Sequence, residues 1–174
     1  MNKNNPSKCI WFTGLSGAGK STLAYALQDK LIKQGMNVYV LDGDVLRTGI
    51  NTDLGFSPED RAENVRRVGE IAKLMVNANV TVLVALISPY KKDRNKARHL
   101  FEAGQFIEVF VDAPLDTCIE RDVKGLYAKA KRGEVPLMTA VASPYEAPEN
   151  PEIHLRSNKQ SIEQCLDKIK RIFE

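Results

Sequence analysis

Cysteine is scarce. The three present, Cys9, Cys118 and Cys165, are odd in number, far apart and without C-x-x-C spacing, which argues against a disulfide framework and against a zinc site, with a reducing cytosol as the expected compartment. No apolar run approaches the roughly 18 residues of a membrane helix, and Met1 to Lys8 is short and polar, unlike a signal peptide. Histidine is limited to His99 and His154, neither with a partner nearby in sequence, so both read as surface or packing residues. Charge of one sign is not gathered anywhere: 25 basic and 22 acidic residues are interspersed for a net +3, a pattern that suits small anionic ligands rather than a nucleic-acid polymer. There is no internal repeat or low-complexity segment. The 174 residues, 43% of them hydrophobic, are enough for one buried core, and a single domain over 1–174 is expected.

What is present is a glycine loop. Gly14, Leu15, Ser16, Gly17, Ala18, Gly19, Lys20, Ser21 and Thr22 match the phosphate-binding pattern G-x-x-x-x-G-K-[ST], between an apolar run at Cys9 to Phe12 and a helical pattern from Leu23. The glycines let the backbone pass close to a polyphosphate, whose oxygens meet N–H groups at the positive end of the following helix. Lys20 adds a mobile charge between the outer phosphates, and the Ser21 hydroxyl is a ligand for Mg²⁺. The N-K-x-D pattern that reads guanine is missing and the chain is short, so a GTPase switch and an oligomeric ATPase module are set aside. A small-metabolite kinase using ATP leads.

Strands are expected at 8–13, 37–41, 80–87, 106–111 and 152–155. Helices are expected at about 19–34, from the Ser-Pro-Glu-Asp start to about 79, 91–103, from Pro114 to 120, 124–132 and 159–173. The apolar, β-branched run Val80 to Ile87 suits a strand covered on both faces of a parallel sheet. The second strand delivers Asp42 and Asp44 to the sheet edge where α/β proteins bind ligands. Asp42 is placed to hold Mg²⁺-bound water, and Asp44 to take the proton of an attacking hydroxyl; the competing structural role is a strand-to-helix turn capped by Asp44. Arg47, Arg61 and Asn64 can clamp an anionic acceptor, whereas Arg66 and Arg67 read as a solvated helix face. Ser88 ends the buried strand at the same edge. Phe56 either stacks on a base or anchors a loop in the core. Lys124 and Arg132 lead into 133–151, whose four prolines, Pro136, Pro144, Pro148 and Pro151, argue against regular structure and for a lid, with which the two cations can close onto phosphates.

Together, LDGDVLRTGIN, DLGFSPEDRAENVRRVGEIAKL, ISPYKKDR, FIEVFVDAPLDTC, RDVKGLYAKA and SPYEAPENPEI resemble the adenylyl-sulfate kinases, which phosphorylate adenosine 5′-phosphosulfate at its ribose 3′-hydroxyl. The resemblance runs over about residues 8 to 156. It implies Asp44 as catalytic aspartate with Asp42 beside it, and Arg47, Arg61 and Asn64 on the phosphosulfate and ribose. Phe56 would stack on the acceptor's adenine, Lys124, Gly125 and Leu126 would contact the acceptor, and Arg121 would border the ATP base. Ser88 matches a serine assigned in the family as a phosphoserine intermediate; in-line transfer from ATP needs no such intermediate. Two departures stand out. Thr48 replaces the histidine of R-H-G-L-N, and Met138-Thr139-Ala140-Val141-Ala142 replaces F-T-G-I-D, so Met138 stands where an aromatic closes the second face of the adenine.

The expected fold is a three-layer α/β P-loop kinase domain with a mostly parallel five-stranded sheet and helices on both faces. The expected activity is Mg²⁺- and ATP-dependent phosphorylation of adenosine 5′-phosphosulfate, in a cytoplasmic enzyme that the resemblance makes a homodimer. Because the lid departs, a kinase of another nucleotide-linked acceptor, such as a cytidine diphosphate derivative, is the alternative, and below it a non-catalytic ATP sensor.

Overall fold

The computed structural model describes residues 6–122, 124–135 and 137–173. Met1 to Asn5, Val123, Pro136 and Glu174 lie outside the described residues, which removes most of the polar N-terminus and one lid proline from view. Five strands, β1 (Cys9–Thr13), β2 (Val38–Asp42), β3 (Thr81–Ala85), β4 (Phe106–Asp112) and β5 (Ile153–Arg156), form one sheet in the order β2-β3-β1-β4-β5. Every pairing is parallel, so the sheet is more uniform than the mostly parallel one expected. β1 and β3 are buried along their whole length, the consequence of helices on both faces.

Successive strand residues point to opposite faces, and two cores result. Ile10, Phe12, Leu83 and Val109 pack with Leu27 and Leu31 of α1 (Lys20–Lys33) and Leu166 and Ile169 of α7 (Ile162–Lys170). Cys9, Trp11, Val82 and Val84 pack instead with Val65, Val68 and Ala72 of α3 (Pro58–Asn77). α4 (Lys91–Arg98), α5 (Leu115–Arg121) and α6 (Leu126–Lys131) complete the long connections. All three cysteines are buried and free. His154 has a partner after all, in Asp112 at 2.9 Å, and stacks on Phe110.

Several boundaries differ from expectation for identifiable reasons. A short helix, α2 (Gly43–Arg47), follows β2 directly because the Asp42 carboxylate accepts the Asp44 N–H at 2.9 Å. The cap is therefore Asp42, and Asp44 lies in the first turn, reversing the structural role considered for that pair. β3 ends at Ala85, two residues early, because its last partner on β2, Asp42, turns straight into α2; beyond it Ser88 takes a left-handed backbone (φ 41). α4 stops at Arg98 in tight turns, Leu100 and Phe101 bonding back to Ala97 and Arg98. α7 starts at Ile162, not 159, because Ser161 and Gln164 form a reciprocal capping box.

Candidate active site

The glycine loop leaves β1 and enters α1 with its backbone pressed against α5 and β4. At Gly14 (φ 151) an added Cβ would sit 2.4 Å from the Val111 carbonyl oxygen, and at Gly17 (φ 78) 2.8 Å from that of Cys118. Neither position admits a side chain. No side chain caps the first turn of α1, which leaves its N–H groups to the cleft. Lys20 lies back along the loop, its Nζ donating to the Gly14 and Leu15 carbonyls at 3.0 and 2.7 Å. Burial, with Lys124 as a second cation nearby, pulls its ammonium down to about 8. From behind, Arg121 donates to the carbonyls of Gly17, Ala18 and Ser157, and Ser157 Oγ to Ala18 at 2.7 Å.

A cleft of about 590 Å³ runs from this loop across the carboxyl ends of β1, β2 and β3. Of the residues expected at the site, Ser16 to Thr22, Asp42, Asp44, Arg47, Phe56, Arg61, Asn64, Ser88, Arg121, Lys124, Leu126 and Met138 line it. Three expected residues do not. Gly14 and Leu15 act through the carbonyls that hold Lys20, and Gly125, at φ 64, is the left-handed residue that starts α6. Arg132 is also away from the cleft, paired with Glu134 at 2.5 Å.

At the far end the two arginines build a bracket. Arg47 Nη1 donates to the Leu54 and Gly55 carbonyls, each at 3.0 Å, and its guanidinium sits 4.3 Å from the centre of the Phe56 ring. Arg61, buried, donates to the Phe56 carbonyl at 2.9 Å and to the Leu137 carbonyl at 2.6 Å. That second bond ties α3 to the lid. Phe56 is 48% exposed and so is no core anchor. Asn64 Oδ1 accepts from Asn51 Nδ2 at 3.0 Å, a bond that fixes the Asn64 amide at the cleft. Arg66 and Arg67 pair with Glu63, and Arg67 also with Asp53, the solvated face expected of them. Between bracket and loop stands Asp44, exposed and ion-paired with Lys124.

For Mg²⁺ the donors fit. No group of three or more His, Cys, Asp or Glu among the described residues could hold a metal, but Mg²⁺ keeps several waters and takes one or two protein ligands beside phosphate oxygens. Ser21 and the Asp42 oxygen left over from the cap are such a pair.

The profile of the adenylylsulphate kinase family matches residues 6–156. The chain belongs to that family. It is 53% identical over 168 residues to an adenylyl-sulfate kinase of Staphylococcus epidermidis, covering 97% of this chain and 84% of the relative. It is 52% identical over 168 residues to one of Marinobacter nauticus, with the same coverage of 97% and 84%. The Mycobacterium tuberculosis APS kinase, solved with AMPPNP and APS, superposes with a TM-score of 0.92 at 46% identity, over 97% of this chain and 98% of that one.

Against the family pattern, Met138 is buried, and its carbonyl accepts N–H groups from Val141, Ala142 and Ser143. Ala140 adopts φ 67 where the family reads glycine, a left-handed conformation that costs a residue with a Cβ about 1–2 kcal/mol. Sequence reasoning missed Asn51, Thr139, Ser157 and Arg94. Asn51 carried a signal, as the last residue of the R-T-G-I-N motif. Thr139 lines the cleft, and Ser157 and Arg94 act through partners far away in the chain.

Proposed function

We propose that this cleft transfers the γ-phosphoryl group of ATP to the ribose 3′-hydroxyl of adenosine 5′-phosphosulfate, giving 3′-phosphoadenosine 5′-phosphosulfate and ADP. The observation that carries the proposal is the continuity of one cleft from the glycine loop to the Phe56 bracket, with a carboxylate, Asp44, between them. ATP lies with its phosphates on the loop N–H groups, and Lys20 leaves the Gly14 and Leu15 carbonyls for the outer phosphates. Arg121 borders the base of ATP. The acceptor lies with its adenine on Phe56 and under Met138, its anionic groups between Arg47, Arg61 and Asn64, and Lys124 to Leu126 beside it.

In the transfer the bond from the γ-phosphorus to its bridging oxygen breaks, the bond from O3′ to phosphorus forms, and the 3′ proton passes to Asp44. Asp44 is free for this once Lys124 moves off. Ser21 and Asp42 would hold Mg²⁺, which would supply positive charge to offset that of the phosphates. Ser88 Oγ accepts from Trp11 Nε1 at 3.0 Å, which leaves its own proton to donate to an oxygen in the cleft. Nothing in this route makes Ser88 a nucleophile. The segment 133–151 serves as lid within one domain, and a homodimer in the cytoplasm is the proposed working form.

The test is ADP release at fixed Mg-ATP with a panel of adenosine- and cytidine-linked acceptors. Efficient use of adenosine 5′-phosphosulfate is expected. Turnover of a pyrimidine acceptor alone would reassign the lid, and no turnover of any acceptor would favour the ATP sensor.

A further inference from the structure

One buried cation has no part in the chemistry above. Arg94 of α4 is 2% exposed, and each nitrogen of its guanidinium donates: Nε to Glu108 Oε1 at 2.7 Å, Nη1 to the Ser88 carbonyl at 2.6 Å and Nη2 to the Glu146 carbonyl at 2.7 Å. Glu108 is held in turn. Its other oxygen accepts from Arg98 at 3.3 Å, Arg98 pairs with Glu152, and Glu152 accepts the Glu108 N–H at 2.6 Å.

The Ser88 carbonyl belongs to a residue that lines the cleft, and the Glu146 carbonyl to the lid segment that carries Met138 and Thr139 into that lining. Ser88 has its left-handed backbone, a conformation that persists in a serine only where the surroundings over-determine it. Arg94 grips it by the carbonyl and Trp11 by the hydroxyl. Glu146 belongs to the strap that follows the Met138 to Ala142 turn. The strap is fastened by the Glu146 N–H on the Pro89 carbonyl at 2.8 Å, by the Lys91 N–H on the Glu146 carboxylate at 2.8 Å and by the Tyr145 hydroxyl on Thr13 Oγ at 3.0 Å.

We propose that Arg94 is a positioning residue for the transfer. Fixed by Glu108, its single guanidinium sets the Ser88 corner and the Tyr145 to Glu146 strap at one spacing, so that the acceptor is held between floor and lid. This rests on the reading of the cleft as the acceptor site. A planar fork can serve three acceptors in fixed directions, and a lysine point charge cannot. A purely structural buried ion pair would stabilise the fold or leave it unchanged without choosing between substrates.

The test compares Arg94→Lys with Arg98→Lys, a change in the same network that touches neither Ser88 nor Glu146. Trp11 is the only tryptophan, so its ¹⁵N-labelled indole N–H gives one resonance that reports the bond to Ser88. Arg94→Lys is expected to raise the acceptor KM about tenfold, change the ATP KM less than about twofold, and move the indole resonance. Arg98→Lys should lower the melting temperature and leave the other three quantities in place. If Arg94→Lys does not fold, Glu108→Gln, which keeps the shape of the pair and removes its charge, should give the same acceptor-selective rise at smaller size. An unmoved indole resonance, or KM values that rise together for both substrates, overturns the proposal. Failure of the unaltered protein to use adenosine 5′-phosphosulfate overturns the functional reading instead; the split is then measured on whichever acceptor turns over, and the resonance still reports on Arg94.

Discussion

Lys20 and Lys124 face one small volume, and burial together with that repulsion leaves the Lys20 ammonium with a pKa of about 8 instead of 10.5. Between those values the unfolded chain holds a proton that the nucleotide-free protein has lost, so this group makes folding more favourable as pH rises through that window. ATP capture runs the other way, because the phosphates need the ammonium. A plot of kcat/KM for ATP against pH should therefore fall above about 8, and in Lys124→Ala the descending limb should move to higher pH. Asp44 calls for a different measurement. Asp44→Asn should cost about 10²- to 10⁴-fold in turnover with little change in either KM, since the carboxylate acts on a proton that moves only during transfer; near-normal turnover would show that the base is elsewhere. These residues were legible in the sequence because each sits inside a short motif. Arg94 was not, since its charge meets Glu108 and Glu146, 14 and 52 residues onward, only after the sheet has formed.

Among the elements, the lid turn carries a local conflict. Ala140 holds φ 67, and replacing it by glycine removes a clash of about 1–2 kcal/mol while adding about 0.4–1 kcal/mol of unfolded-state freedom. The Ala140→Gly protein should thus be equal to or up to about 1.6 kcal/mol more stable in urea titration; a clear loss would mean that the Ala140 methyl packs favourably. The long elements could be read from periodicity and fully apolar runs. α2 could not, because a helix of five residues shows no period and depends on one carboxylate bond from Asp42. The start of α7 was readable in principle, as S-I-E-Q is a capping box written out in order. The turn at 138–143 was not, since three backbone N–H groups gathered on the Met138 carbonyl leave no mark on side-chain pattern.

At the scale of the molecule, β1 is where the strand order reverses, the chain going first towards β3 and β2 and later towards β4 and β5. The crevice for ligands opens at such a point, which is why a glycine loop after β1 predicted the whole site's position. Both substrates brace the same frame, so an ATP analogue at 100 times its Kd should add about 2.7 kcal/mol of stability, visible as a melting shift of several degrees. Met138→Phe should tighten the acceptor severalfold through ring stacking of roughly 0.5–1.5 kcal/mol, read as a lower KM; an unchanged or weaker KM would mean that the buried methionine already fills that space. The ion pair between Lys124 and Asp44 has one further bearing. With ATP seated and no second substrate present, water fills the neighbouring space and is the only nucleophile on hand. A carboxylate already engaged by a cation is a poor proton sink, so ADP release from ATP alone is expected to be slow and to rise in Lys124→Ala.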